Sequence, residues 1–282
     1  FLRAVSPAKT SALRSRILIP GAAGFFGSHL CEHVLKNTDW DIVAMVRLTR
    51  IGNLRRLIDM ELWPQVRQRV HVVYHDLRAP IPSFVRQDIG HVDYIVHAAA
   101  STHVDESILG PEAFVQDNVV GTLNLLQYAR KLDGLRWFNQ FSTDEVYGPA
   151  DEGTAFLEDA RYNATNPYSA TKAGAEQLVN AFGNTYGLPV FISNSMNLIG
   201  ERVGFEKYLH LVIRKVLAGE VVTIHSDPTK TKAGKRRYLH CRNAAAAILF
   251  LLEHAEQRER YNVVGEREID NLTFAKMIAD VI

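Results

Sequence analysis

Only two of the 282 residues are cysteine, Cys31 and Cys241. Two thiols make no disulfide framework and point to a reducing compartment, so a cytoplasmic location is expected. No apolar run is long enough to span a bilayer, and no internal repeat or low-complexity stretch is present. No Cys/His spacing suggests a metal ligand set, so no metal is expected. An excess of one charge is missing as well. Thirty-two basic against 31 acidic side chains leave +1, which gives no field to draw the chain onto nucleic acid or an anionic membrane. The opening Phe1 to Ser15 is polar and basic and begins without methionine; lacking a signal-peptide apolar core, it reads as a trimmed or flexible end.

What is present is apolar material in quantity. A hydrophobic content of 47% can bury a sizeable core, in one large domain or one and a half. Apolar strand-like runs alternate with helical ones through the first two-thirds, which predicts an α/β fold, a doubly wound parallel sheet with helices on both faces. The first run, Arg16 to Pro20, leads into Gly21-Ala22-Ala23-Gly24-Phe25-Phe26-Gly27 and then a helix from Ser28. Three glycines there permit a tight turn, a close approach of backbone to a pyrophosphate, and close packing of helix on strand; the helix N-terminus offers N–H groups to the phosphates. Gly21, Gly24, Phe25, Phe26 and Gly27 are therefore candidate cofactor-binding residues, although the spacing departs from the usual Gly-x-Gly-x-x-Gly. A strand over 71–74 ends at His75-Asp76-Leu77, where Asp76 could accept from an adenine amino group. A strand over 92–96 ends at His97-Ala98-Ala99-Ala100, and those alanines would let a flat cofactor lie against the backbone.

The segment that names a reaction comes later. Behind the apolar run Trp137 to Phe141 stands Ser142-Thr143-Asp144-Glu145-Val146-Tyr147-Gly148. Downstream, a helix opens at Pro167 and carries Tyr168 and Lys172. Four apart on a helix is one face, so the ammonium can lie beneath the phenol and ease loss of its proton. Alone, such a spacing is common on ordinary helices, and an Asp-Glu pair is often a solvated loop. Their order behind a glycine-rich loop gives them chemical meaning. Tyr168 and Lys172 suit removal of a proton from a sugar hydroxyl as hydride leaves the same carbon, and Asp144 and Glu145 supply an acid and a base for a second step.

These motifs make the chain resemble the extended short-chain dehydrogenase/reductases, and most closely the dTDP-glucose 4,6-dehydratases. The likeness runs from about Arg16 to the C-terminus and includes His103-Val104-Asp105, Asn118-Val119-Val120-Gly121-Thr122, Asn166-Pro167-Tyr168-Ser169, Tyr186-Gly187-Leu188-Pro189, Asn194, Asn197, Gly200 and Glu206-Lys207. The Ser142 to Gly148 string is its most specific part, since relatives without dehydration chemistry usually carry Ser or Thr where Asp144 stands. The resemblance implies an NAD(P) held tightly by the glycine loop together with Asp76, Leu77, Ala98, Ala99, Ala100, Asn118, Ser142, Tyr168, Lys172 and Asn194. It implies a nucleotide-sugar near His103, Asp105, Thr143, Asn197, Lys207 and Arg236, and a catalytic set of Thr143, Asp144, Glu145, Tyr168 and Lys172. Other readings are a 4-epimerase or UDP-glucuronate decarboxylase of the same family, or a non-catalytic NAD(P)-binding regulator.

Three departures stand out. Val46 follows the second strand, Asp41 to Met45, where the family has an aspartate for the adenosine ribose, and Arg47 comes next with Arg50 near, which favours NADP where the resemblance gives NAD. Ser101 stands in place of a usual glutamate, and Arg237 in place of an aspartate within a long basic loop from Asp227. The dinucleotide-binding domain is expected over 16–194 and 238–255. A smaller C-terminal substrate domain is expected over 195–237 and 256–282, cut short at Ile282, with an amphipathic helix over 205–219 and a strand over 221–225. Helices over 111–131 and 167–186 carry Phe114, Val119, Leu123, Leu126, Tyr128, Leu178, Val179, Phe182 and Tyr186, more apolar surface than one stripe requires. In the family these two helices pair across a two-fold axis, so a homodimer is expected through them.

Overall fold

A computed structural model describes residues 14–47, 52–151, 153–205, 207–224, 226–227, 229 and 231–282. The segment 1–13, Arg50, Glu206 and His225, all used above, lie outside the described residues. Six apolar runs form strands in chain order: β1 (Arg16–Pro20), β2 (Asp41–Val46), β3 (Val70–Tyr74), β4 (Tyr94–His97), β5 (Trp137–Thr143) and β6 (Val190–Ser195). Short strands follow, β7 (Leu198–Ile199), β8 (Lys235–Arg236) and β9 (Leu239–His240), then β10 (Arg260–Val263) and β11 (Ile269–Asp270). The main sheet has the order β10-β6-β5-β4-β1-β2-β3, and every pair in it is parallel. Reading the first six strands gives 3-2-1-4-5-6, the order that reverses between β1 and β4 and opens a crevice at the carboxyl ends there.

Burial explains why these strands do not alternate. Ile17, Leu18 and Ile19 in β1 are all fully buried, as a parallel sheet covered on both faces demands. One face takes α1 (Phe25–Asn37), whose Leu30 and Val34 join Ile17, Ile19 and Ile248 in a single apolar cluster; the other packs Leu18, Val43 and Phe138 beneath the later helices. Short α2 (Arg55–Ile58) and α3 (Trp63–Val66) precede β3, and α4 (Ser83–Ile89) precedes β4. After β4 come α5 (Val104–Leu109), α6 (Pro111–Phe114) and α7 (Gly121–Ala129), then the long α8 (Pro167–Tyr186) after β5. The chain ends with α9 (Tyr208–Leu217), α10 (Cys241–His254), which packs on α1, and α11 (Asn271–Val281). Tyr238 stacks on Phe274 at 4.1 Å and its hydroxyl donates to Asn271, so the segments around β8, α9 and α11 share a small core of their own.

Four expectations need correction. Residues 221–224 form no strand: Val221 is 84% exposed, and an apolar run without a ladder partner gains nothing from extending. The segment 256–282 does not belong wholly to the smaller unit, because Arg260 to Val263 pair with Ile192 to Ser195 and close the main sheet. The helix expected over 111–131 is interrupted. A wide π-helical turn, Val115–Val120, joins α6 to α7 and turns successive side chains in different directions. Lastly, Phe114, Leu126, Tyr128, Val179 and Phe182 are buried within the chain itself, so most of the apolar surplus on those two helices is core. Val115 and Tyr186 remain exposed on them.

The start of α8 is fixed by its own sequence. Asn166 caps it, accepting from Ser169 N at 2.8 Å while the Ser169 hydroxyl receives the Asn166 N–H, with Pro167 in the first position. Gly187, at φ 66°, ends it. Asn166→Ala should therefore cost about 1 kcal/mol and lower the thermal midpoint by about 2–4 °C; Asn166→Ser, which restores an acceptor, should recover most of the loss in the same unfolding scan.

Candidate active site

The glycine loop is a close-fitting turn. Gly21 sits at φ +86°, and a Cβ on it would lie 2.6 Å from Ala99 N; one on Gly27 would lie 2.1 Å from Gly21 O. Gly24 is the N-cap of α1 and donates to Gly21 O at 2.8 Å. Side chains are excluded, so backbone N–H groups and the positive end of the 13-residue α1 are what the turn presents. In front of it lies a cleft of about 160 Å³ at the reversal point of the sheet order. Gly21, Gly24, Arg47, Asp76, Leu77, Ala98, Ala99 and Ala100 line it, together with His103, which was expected near the sugar. Phe25, Phe26 and Gly27 stand behind the turn, with Phe26 stacked on Phe141 at 3.7 Å. A phosphate-cradling backbone, a flat alanine-lined wall and a carboxylate at the far end suit a dinucleotide.

At that far end Arg47 is engaged. Its guanidinium makes a bidentate pair with Asp117, at 2.7 and 3.0 Å, and reaches Asp76 at 3.3 Å. Arg78 also grips Asp76, and the Ser101 hydroxyl donates to Asp117 at 2.6 Å. These guanidinium contacts hold the Asp76 carboxyl down at about 2, against the opposing effect of its partial burial. Val46 is buried and contributes no polar group.

The candidate catalytic groups gather where β5 ends. Thr143 caps a short 3₁₀ turn over Asp144–Tyr147 and accepts from Glu145 N at 3.3 Å. Glu145 also accepts from the Asn166 side chain at 3.2 Å, so the cap of α8 orients it. Burial, and next the charge of Glu145, push the Asp144 carboxyl up to about 6, opposed by Arg236. Tyr168 and Lys172 are buried side chains on α8. Burial brings Lys172 down to about 8, and its ammonium donates to Phe141 O at 2.9 Å. Tyr168 departs from expectation. Its phenol is shifted upward, not downward, by burial and then by Glu145, while a hydrogen bond with Thr143 opposes the rise. Burial alone sets the direction, the carboxylates of Glu145 and Asp144 add to it, and Lys172 gives its ammonium to a backbone carbonyl.

Asn118, Ser142 and Asn194 lie deeper. Asn118 accepts from Ser101 N at 2.8 Å and donates to Thr171 at 3.0 Å, tying the cleft wall to α8. Asn194 donates to Thr143 O at 2.9 Å and leaves its Oδ1 without a donor among the described residues, a free acceptor that fits a bound polar group. Of the residues expected near a sugar, Lys207 reaches Thr102 Oγ1 at 3.3 Å across the cleft mouth, and Asn197 and Arg236 are exposed. Asp105 is exposed on α5 and does not line the cleft. Glu176 was not among the candidates. It is fully buried one turn after Lys172 and takes hydrogen bonds from Ser142, Tyr162 and Asn194. The only trace in the sequence is an acid four residues past the lysine on the same helical face.

Comparison with known proteins agrees with this geometry. The chain is 33% identical over 286 residues to dTDP-glucose 4,6-dehydratase 1 of Escherichia coli K12, covering 95% of this chain and 76% of that one. It is 35% identical to a trifunctional UDP-glucose 4,6-dehydratase/UDP-4-keto-6-deoxy-D-glucose 3,5-epimerase/UDP-4-keto-L-rhamnose-reductase of Arabidopsis thaliana, covering 89% of this chain and 37% of that one. The crystal structure of DesIV, a dTDP-glucose 4,6-dehydratase from Streptomyces venezuelae with NAD bound, superposes with a TM-score of 0.85 at 31% identity, covering 94% of this chain and 80% of that one. Residues 17–264 match the model of one family, and the chain therefore belongs to the NAD dependent epimerase/dehydratase family.

Proposed function

We propose that this protein is a nucleotide-sugar 4,6-dehydratase acting on an NDP-glucose of the dTDP or UDP type. The observation that carries the reading is the adjacent pair at the end of β5. Asp144 is pushed up to about 6 by burial and by its neighbour, whereas Glu145 is oriented by Asn166. Two carboxyl groups in unlike environments are what an acid and a base require. A 4-epimerase or a decarboxylase would give the pair no task.

Tyr168, as its phenolate with Thr143 on its oxygen, takes the proton of the C4 hydroxyl and releases it to solvent before the next turnover. When bound, the nicotinamide accepts the C4 hydride and gives it back at C6. Lys172 is an ammonium below about pH 8, and its charge favours the phenolate as it forms. The C4 ketone acidifies C5, and Glu145 removes that proton. Asp144 gives its proton to the C6 hydroxyl, which departs as water, and is reprotonated from solvent. Glu145 then returns a proton to C5, so the product is lighter than the substrate by one water and the cofactor ends unchanged. His103, Lys207, Asn197 and Arg236 would hold the sugar and its diphosphate; amide, ammonium and guanidinium groups suit phosphate oxygens. NAD is the cofactor this reading takes, supported by the NAD in the Streptomyces relative and by the engagement of Arg47 with Asp117. A cytoplasmic setting fits two free thiols.

Incubation with dTDP- or UDP-glucose should yield a 4-keto-6-deoxy sugar; an unchanged mass, or loss of carbon dioxide, would defeat the reading. Asp144→Asn should leave oxidation at C4 intact but slow loss of water by about 10²–10⁴-fold, so that reduced cofactor accumulates and is seen by its absorbance. In single turnover the dehydration step of the native protein should fall as pH rises above about 6, because the acid form of Asp144 is then being lost. Asp144→Asn should lack that limb. We further propose a homodimer through the faces of 111–131 and 167–186, supported by the exposed Val115 and Tyr186. Light scattering at micromolar concentration should give twice the chain mass, and Tyr186→Glu should lower it towards one.

A further inference from the structure

A guanidinium placed just after the second strand of a dinucleotide fold is the group that accommodates a 2′-phosphate. Arg47 has that position, yet it is held elsewhere. Asp117 binds both of its terminal nitrogens, at 2.7 and 3.0 Å, and Asp76 approaches the first at 3.3 Å. Arg78 completes the group through Asp76 and stands 3.9 Å from Asp117. Among the described residues, two positive and two negative side chains alternate there, so their charges cancel. Asp117 itself is well anchored: its side chain is 12% exposed, and the Ser101 hydroxyl donates to its second oxygen at 2.6 Å. Arg47 and Asp117 both line the cleft.

We propose that Asp117, acting through Arg47, selects NAD against NADP. This rests on the nicotinamide-cofactor reading given above and adds the residue that discriminates. A 2′-phosphate would bring close to two negative charges to a spot where Asp117 and Asp76 already stand. To bind it, Arg47 would have to leave a bidentate charge-assisted pair. A mostly buried carboxylate would then lose its partner. A ribose bearing a free 2′-hydroxyl meets no such cost, since Arg47 can stay with Asp117. Val46 offers no carboxylate at the strand end, and Asp117, reached from a different element, supplies the negative charge instead. Asp117 is in this sense a specificity residue whose effect is relayed by Arg47, not a group that touches the reacting atoms.

The test is calorimetric titration of the full chain with NAD, NADP, 5′-AMP and 2′,5′-ADP. The native protein should bind NAD at least about tenfold more tightly than NADP, and 5′-AMP more tightly than 2′,5′-ADP. Asp117→Asn should tighten NADP and 2′,5′-ADP by about tenfold or more, with NAD changed by less than about threefold. Adding Arg47→Ala to that variant should erase the gain, since the freed guanidinium is its source. Ser101→Ala, which only loosens Asp117, should move the ratio the same way by less, and it serves if Asp117→Asn does not fold. A native protein that prefers NADP, or an unchanged ratio in both the Asp117 and Ser101 variants, overturns the proposal. A gain that survives loss of Arg47 overturns it too. Native protein that binds 5′-AMP but neither dinucleotide removes the nicotinamide reading itself, a different failure from an unmoved ratio.

Discussion

One buried carboxylate holds the catalytic half of this molecule in register. Glu176 is fully enclosed on the inner face of α8, and an unpaired charge there would be costly by several kcal/mol. Its oxygens must therefore be met from several directions at once. Ser142 comes from β5, Asn194 from β6, Tyr162 from the loop before α8, and Arg260 from the late strand β10 at 3.5 Å. That last distance makes an ion pair, not a well-formed hydrogen bond, and Arg260 is further seated over the Tyr162 ring at 4.7 Å. Because Glu176 and Lys172 are one turn apart on one helix, satisfying the first fixes the rotation of α8 and so aims the second. The position of β10, 84 residues beyond Glu176 in sequence, becomes part of the same constraint.

With α8 fixed, the environments of the ionisable groups diverge by degree of burial and by which charge lies nearest. Asp144 has Glu145 beside it and little water, and it rises to about 6; Lys172, an acid of the opposite charge type, is lowered to about 8 by the same burial. Desolvation opposes whichever form is charged, so it moves a carboxyl up and an ammonium down. Between these two values Lys172 is charged while Asp144 has largely ionised. A raised carboxyl also means that the folded state binds more protons than the unfolded one from ordinary carboxylate pH up to about 6. Asp144 therefore subtracts from stability as pH climbs through that window. Tyr168 is shifted the same way as Asp144, because both pay for burial near Glu145. The proposed chemistry asks this cluster to gain positive charge from its ligands, not from Lys172 alone.

Much of this was legible in the sequence, and the reason differs with each feature. The glycine turn, the first strands and the span of α8 are local: Gly21 needs its positive φ, and Asn166, Pro167 and Gly187 mark the two ends of one helix. Periodicity and caps reach that far. Features made by contacts distant in sequence were not legible. The ion pair between Arg47 and Asp117 spans 70 residues, and its effect on the meaning of Arg47 could not be read from Arg47. The return of Arg260 to Val263 to the sheet edge looked like part of the terminal segment because four half-buried residues give no strong alternation. The run after Glu220 looked like a strand for the converse reason, having the composition without a partner.

The two ends of the cleft meet at one irregular turn. Within the π-helical stretch from Val115, Asp117 faces outward to Arg47 and Ser101, and the next residue, Asn118, faces inward to Thr171 on α8. Both also hold Ser101, one through its hydroxyl and the other through its backbone N–H. A regular helix advances about 100° per residue and keeps one stripe for one neighbour. Widening the turn lets two consecutive side chains serve two neighbours at the same height. The residue that neutralises Arg47 and the residue that braces α8 are thereby parts of a single rigid step, with Ser101 as their shared ligand. A change that shifted this turn would be felt at Arg47 and at Thr171 of α8 together, so the two halves of the cleft are coupled along this wall.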